Sequence, residues 1–282
     1  MATGDALGVD PIRLFGDYMK VTGVPTLDVG ATPRGCPGTV RQGPGVAPTG
    51  KKLGVVNGAS WVSLWSTYFG RLMLPGVKIV NVGNEAVQLN FMEAHRAGQP
   101  CPPQINIDLF CRYARDLFDL VGVDAILISC STMNRAFRQV SEHMKDVGVP
   151  VIQIDEAMME EAVNREGRIL VVATHGPTVR STQELLRETA DRLGKSVDFV
   201  GATVEQAFDL LGEGRIAEHN RVIAEAIRNA QSREPIDIVV LAQLSMSVFL
   251  FSHPDPVADF GVPVLTSGQT GFRRAGEVLA RN

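Results

Sequence analysis

Val123-Asp124-Ala125-Ile126-Leu127-Ile128-Ser129-Cys130-Ser131-Thr132-Met133 is an apolar run that closes on a thiol flanked by hydroxyls. A continuous apolar run bounded by polar residues suits a parallel strand buried on both faces. Ligands of open parallel sheets bind beyond the carboxyl ends of the strands, which puts Cys130 at the mouth of a crevice. The pattern returns as Ile236-Asp237-Ile238-Val239-Val240-Leu241-Ala242-Gln243-Leu244-Ser245-Met246. Cys130 and Gln243 lie 113 positions apart, and so do Gly148-Val149-Pro150-Val151 and Gly261-Val262-Pro263-Val264. Two blocks sharing one offset indicate a duplicated α/β unit, with two strand ends facing each other across one cleft. One copy brings a cysteine to that cleft and the other a glutamine.

The alternation of strands and helices supports this reading. Leu53-Gly54-Val55-Val56-Asn57 is a strand followed by a helix over 61–73, and a second strand covers 77–82. A Gly/Pro-punctuated section then runs to Pro103, before an amphipathic helix carrying Ile107, Phe110, Tyr113, Leu117 and Leu120. The Cys130 strand follows, then a helix with Ala136, Phe137, Val140 and Met144 on one face, and a strand over 149–154. Asp155 has the character of an N-cap for the next helix. The second half repeats the scheme: a strand over 168–174, a helix over 178–193, a strand over 197–200 and helices over 204–211 and 215–230. The Gln243 strand, a strand over 262–265 and a C-terminal helix over 271–280 complete it. The expected fold is therefore α/β: two similar parallel-sheet subdomains related by a pseudo-two-fold axis, with the active site in the cleft between them. The halves span 52–166 and 167–282, and the C-terminal helix is placed to pack back on the first half. Residues 1–51 form a Gly/Pro-rich arm with a helical pattern only over 11–21, either an extension lying on the body or a lid over the cleft.

At 282 residues with 45% hydrophobic content, the chain can bury a substantial core without disulfides or metals. A net charge of −4 leaves no basic stripe, so no nucleic-acid partner is expected. No apolar run approaches the roughly 20 residues of a membrane span, and no basic-then-apolar leader opens the sequence. A cytoplasmic protein with no membrane partner is expected. Cys36, Cys101, Cys111 and Cys130 show no CxxC spacing, which argues against a metal site.

Cys130 follows a buried strand and precedes a helix start, where unpaired N–H groups favour an anion and lower a thiol's pKa. Cys111, on a helix face beside Phe110, and the proline-flanked Cys36 and Cys101 read as structural. Ser131 and Thr132, with the backbone N–H groups behind them, can hold a small carboxylate. Similar polar elbows stand at Asn57-Gly58-Ala59-Ser60, at Thr174-His175-Gly176-Pro177-Thr178 and at Gln243-Leu244-Ser245. His175 is a candidate proton donor or ligand contact. His95, His143 and His219 read as solvated, and His253 as a loop residue. Trp61, Trp65, Tyr68 and Phe69 recur at helical spacing and read as core or subunit interface. The sequence has no Walker A, no dinucleotide glycine fingerprint and no GxSxG, which disfavours nucleotide binding and serine hydrolysis.

Taken in order, these motifs resemble the aspartate/glutamate/hydantoin racemase superfamily over about residues 52–280. The resemblance rests on Ile128-Ser129-Cys130-Ser131-Thr132, the 173–178 elbow, Val240-Leu241-Ala242-Gln243, the Leu53-Gly54-Val55-Val56 strand and the segment from Pro75 to Asn81. It implies that no cofactor is needed, because cysteines on facing strand ends take and return the α-proton of a small carboxylic acid. Carried over, Cys130 is the first thiol and Gln243 stands where the second would be. Asn57, Ser60, Ser131, Thr132, Thr174, Thr178, Leu244 and Ser245 are similar to the family's substrate contacts. Members are usually dimers or larger, so a homo-oligomer is expected.

Glutamine is neither an acid nor a base at neutral pH, and a racemase needs a proton carrier on each face of its substrate. The superfamily includes lyases and decarboxylases that work with one cysteine. The resemblance therefore points first to a single-cysteine, lyase-type enzyme acting next to a carboxylate. An amino-acid or hydantoin racemase with His175 as substitute base, or an inactive small-carboxylate-binding protein, are the alternatives.

Overall fold

A computed structural model describes residues 50–281. The expected arm therefore lies, but for its last two residues, outside the described residues, as do Cys36 and the helical pattern at 11–21.

In chain order the elements are β1 (Lys52–Asn57), α1 (Val62–Met73), β2 (Lys78–Gly83), α2 (Glu85–Arg96), α3 (Gln104–Val121), β3 (Ala125–Ile128), α4 (Phe137–His143), β4 (Val151–Gln153) and α5 (Glu156–Arg165). The second series is β5 (Arg168–Ala173), α6 (Gly176–Leu193), β6 (Asp198–Thr203), α7 (Glu205–Gly212), α8 (Ile216–Gln231), β7 (Ile238–Leu241), α9 (Pro256–Phe260), β8 (Val264–Thr266) and α10 (Ser267–Arg281). The strands form two four-stranded parallel sheets with one order, β2-β1-β3-β4 and β6-β5-β7-β8. Registers match as well: Leu53 pairs with Ala125 in the first sheet and Ile169 with Ile238 in the second. The duplication read from the 113-residue offset is thus an architectural one.

Strand composition explains this burial. Every residue of β3 and of β7 is buried, as runs of Ala, Ile, Leu and Val covered by helices on both faces must be. In each half the chain passes outward from the first strand to one edge, then returns to the third strand. The carboxyl ends of β1 and β3, and of β5 and β7, are therefore switch points. Short 3-10 segments follow both, Ser131–Ala136 after Cys130 and Leu244–Phe251 after Gln243.

The halves share a core. Leu53, Val55 and Phe69 pack with Leu244 and Val248, and with Phe272, Ala275 and Leu279 of α10. Helix α10 lies so close to the first half that a Cβ on Gly276 would sit 2.8 Å from Leu74 Cδ2. Across the other side, Arg135 pairs with Glu188 and, at 2.9 Å, with Glu184 on α6. No helix among the described residues is long and apolar enough to cross a membrane.

Several local expectations need correction. The Gly/Pro-punctuated section contains α2, capped by Asn84, whose side chain accepts the Ala86 N–H at 2.9 Å. Its inward face is Val87, Phe91 and Ala94, an i, i+4, i+7 stripe. The segment after Cys130 begins as a 3-10 turn rather than as an α-helix, and α10 begins at Ser267 rather than Gly271. His219 is fully buried rather than solvated, with Nδ1 2.8 Å from Asn220 Oδ1. Asp155 occupies the N-cap position of α5 but is helical in backbone and makes no capping bond. Its side chain turns inward instead.

Candidate active site at the two switch points

The first half positions its thiol through Asn57. This fully buried amide ends β1 and accepts hydrogen bonds from Ser129 Oγ at 2.5 Å and Ser66 Oγ at 2.6 Å. Its Nδ2 donates to Asn81 Oδ1 at 3.1 Å and to the Val82 carbonyl at 3.2 Å. Asn57 ties β1, β2, α1 and the residue before the cysteine together. It does not line the cleft, which corrects the expectation of a substrate contact: every polar atom of its amide is engaged by the protein. Ser60 is corrected too, since its exposed hydroxyl and N–H are directed to Glu85.

Cys130 is half-buried, with Sγ 3.0 Å from Thr132 Oγ1. Gly58 crosses directly beside it; a Cβ there would sit 2.3 Å from the sulfur. Only glycine permits that approach. Burial pushes the thiol's pKa above its ordinary value, outweighing the Thr132 hydroxyl and the N–H groups of Thr132 and Met133. The depressed pKa expected from the helix start is therefore reversed: desolvation of the thiolate exceeds the stabilisation that one 3-10 turn supplies. Cys130 rests as a thiol, a proton donor. Cys111 is half-buried on α3 and Cys101 is exposed.

The second half presents an amide at the matching position. Gln243 Oε1 accepts the Thr174 N–H at 2.7 Å and the Thr174 hydroxyl at 2.9 Å. A backbone N–H can only donate, so the oxygen is fixed toward Thr174 and the NH2 end is left for a ligand. Thr174 is buried behind Gln243 and orients it rather than lining the cleft. Thr178 is fully buried on α6, away from the lining, which corrects its assignment as a contact. His175 stands at the start of α6 with its ring 4.9 Å from that of Phe208. Burial lowers its pKa, against the opposing pull of Glu205 and Asp209, and its buried Nε2 has no partner among the described residues.

These groups meet in one cleft. Its polar floor is Ser129, Cys130, Ser131 and Thr132 facing His175, Gln243 and Ser245. Its walls are Trp61, Val62, Phe91, Met92, Phe208 and Leu244. Trp61 packs against the shared core and also lines the cleft, in edge contact with Phe208 at 5.9 Å. Phe91 and Met92 come from α2, so they had no place in a reading that lacked this helix.

Asp155, read from the sequence as a cap, belongs instead beneath this site. It is buried beneath the floor, where Ser131 and Ser267 approach it, and burial raises its pKa to about 7 despite those hydroxyls. Neither its carboxylate oxygens nor the Ser131 and Ser267 hydroxyls complete a hydrogen bond among the described residues. A capping aspartate and an inward one have the same sequence signature.

The family model for Asp/Glu/Hydantoin racemases matches residues 107–275, more than half of the chain. The chain belongs to the Asp/Glu/hydantoin racemase family. Solved structures of racemases share its fold. The aspartate racemase of Picrophilus torridus superposes with a TM-score of 0.62 at 13% identity, over 82% of this chain and 95% of the other. Allantoin racemase from Klebsiella pneumoniae gives 0.58 at 16% identity, over 82% of this chain and 88% of the other. Glutamate racemase from Francisella tularensis, in complex with D-glutamate, gives 0.59 at 17% identity, over 82% of each chain. No curated protein sequence matches the chain. Among the described residues of this racemase-family chain, no cluster of three or more His, Cys, Asp and Glu could hold a metal ion.

Proposed function

We propose that this member of the racemase family is a cofactor-independent enzyme that quenches a carbanion next to a carboxylate, with Cys130 as its single acid and a lyase-type outcome. The observation that carries the reading is the unequal pair at the two switch points: a thiol on one face of the cleft and an amide on the other. Gln243 offers only N–H donors and cannot accept the proton that racemisation would deliver to it. A thiol held protonated by burial suits the donor role better than the thiolate role. In a decarboxylation the bond from the α-carbon to the leaving carboxylate breaks and carbon dioxide departs with its oxygens. The electron pair stays on the carbon and spreads into the retained carboxylate. The S–H proton of Cys130 then passes to that carbon, and solvent reprotonates the sulfur. Gln243 Nε2, the Ser131 and Thr132 hydroxyls and nearby backbone N–H groups would stabilise the oxyanion.

A second reading is favoured by His175, whose neutral ring lines the cleft with Nε2 unpartnered. Such a ring can serve as the opposite base of a racemase. Incubating substituted malonic and α-substituted carboxylic acids in D2O separates the two. A decarboxylated product deuterated at the α-carbon supports the first reading, whereas inversion with deuterium uptake in an unchanged acid supports the second. Cys130→Ser should reduce either turnover by about 10²-fold or more. Unchanged turnover in that variant would overturn both readings, and no turnover with any acid would leave a binding protein.

A further inference from the structure

Among the described residues, Asp155 is the only aspartate or glutamate that is buried. Its place is fixed from three sides. The Ile154 N–H donates to the Ile128 carbonyl at 3.1 Å, which carries the chain from β4 past the end of β3. Helix α10 closes over this point, where a Cβ on Gly271 would lie 2.5 Å from the Ile154 carbonyl oxygen. Ser267 at the start of α10 and Ser131 in the turn after Cys130 bring hydroxyls toward the carboxyl. Neither Asp155 oxygen is bonded among the described residues, and neither are the two hydroxyls. A buried carboxyl in that state is costly, so a role is needed to account for it. Ser131 also lines the cleft beside Cys130, so Asp155, Ser131 and Cys130 form a line from the core to the cleft. Charged groups on the surrounding elements are engaged elsewhere. Glu156 and Glu160 of α5 face Arg192 and Arg274, and Arg135 faces Glu184 and Glu188. The charge of Asp155 acts on Cys130, where it opposes the thiolate.

Building on the single-acid chemistry above, we infer that Asp155 stores the proton that restores Cys130 after each turnover and passes it through the Ser131 hydroxyl. Once the S–H proton has gone to carbon, the sulfur is a thiolate. The Ser131 O–H gives its proton to the sulfur and takes the carboxyl proton of Asp155. Thiolate and carboxylic acid thereby become thiol and carboxylate, and Ser131 ends unchanged. The transfer runs downhill, because burial holds the thiol's pKa above its ordinary value while that of the carboxyl stands at about 7. When product has left, water in the open cleft returns a proton to Asp155 through the same hydroxyl, so solvent is the final source. The store matters because bound product keeps water from the sulfur, and a lingering thiolate would take the proton back from the product carbon. Asp155 acts through Ser131 and does not touch the substrate, so it is a positioning residue rather than a second acid.

Asp155→Asn keeps the shape of the side chain and removes the store. A first test needs no substrate: alkylation of Cys130 by iodoacetamide in the full chain, followed against pH by mass spectrometry of the Cys130 peptide. Loss of the Asp155 charge should lower the midpoint of that reaction by about one pH unit. A second test uses rapid mixing with the substituted malonic acid that the unaltered protein decarboxylates fastest. Asp155→Asn should release about one product per site at the unaltered rate, then turn over about tenfold or more slowly. Acetic acid in the buffer should speed the slow phase by supplying protons from the cleft. Ser131→Ala keeps the carboxyl but breaks the relay; it should also show two phases, and it serves if the first variant does not fold. An unmoved alkylation midpoint, a uniform slowing without a burst, or turnover equal to that of the unaltered protein would overturn the inference. Inactivity of the unaltered protein on every such acid would instead overturn the lyase reading, and the alkylation midpoint would still decide whether Asp155 is coupled to Cys130.

Discussion

Residue by residue, the site depends on groups that never touch a ligand. Asn57 holds Ser129, and Ser129 fixes the backbone from which Cys130 projects. Gly58 leaves the only room the sulfur has on that side. Gly58→Ala should therefore displace the thiol. Overpacking of this kind costs about 1–3 kcal/mol of stability, while a shift of about 1 Å at a reacting group costs about 10²-fold in rate. Urea denaturation together with deuterium incorporation into product measures both; a folded variant with full turnover would show that the sulfur position is not critical. The elbow residues illustrate what a linear motif conveys. Asn57, Thr174 and Thr178 were legible as polar groups at strand or helix ends, but a buried hydrogen bond and a ligand contact need the same residue types. Ser131, Thr132 and Gln243 line the cleft; Asn57 and Thr174 hold those that do.

At the scale of elements, α2 shows how a helix can be overlooked. Gly83, Gly98 and Pro100 break the chain around it, yet the Asn84 cap and the Val87-Phe91-Ala94 stripe were present in the sequence. This helix supplies Phe91 and Met92 to the cleft wall. Asn84→Ala should cost about 1 kcal/mol in denaturant titration, as for other caps. The same variant should raise KM for whichever acid is turned over more than it lowers kcat, because the wall loosens while the thiol stays in place. The strands were easier to read. Four-residue apolar runs such as Ala125–Ile128 and Ile238–Leu241 have one good solution in a chain that alternates them with amphipathic helices, a parallel strand covered on both faces.

For the whole molecule, the two halves are joined by α10 packing on α1 and by Arg135 reaching Glu184 and Glu188 on α6. Asp155 belongs to this scale because Ser131 of the first half and Ser267 at the start of α10 converge on it. Its ordinary carboxyl value of 3.8 rises to about 7 in the folded protein. The native state therefore holds this proton more tightly than the unfolded chain does. Stability falls as pH rises from about 4 and levels off above about 7. The Asp155 contribution to that loss between pH 5 and pH 8 is on the order of 3 kcal/mol. Asp155→Asn, which cannot ionise, should remove it and be the more stable form at pH 8. Parallel denaturation curves at the two pH values check this, and an equal loss in both proteins would assign the pH dependence elsewhere.

The sequence alone determined that the chain is a duplicated α/β unit, that Cys130 and Gln243 occupy equivalent strand ends, and that they differ in chemistry. Those facts reside in periodicity and spacing, which act through local backbone geometry and burial and so survive in one dimension. The tertiary structure decided that burial raises the pKa of the Cys130 thiol, that Asp155 faces inward, and that rings from Trp61 just before α1, from α2 and from α7 wall the cleft. Each of these follows from desolvation and contact between residues far apart in the chain, and the amount of water excluded around a group is fixed only when all its neighbours are in place.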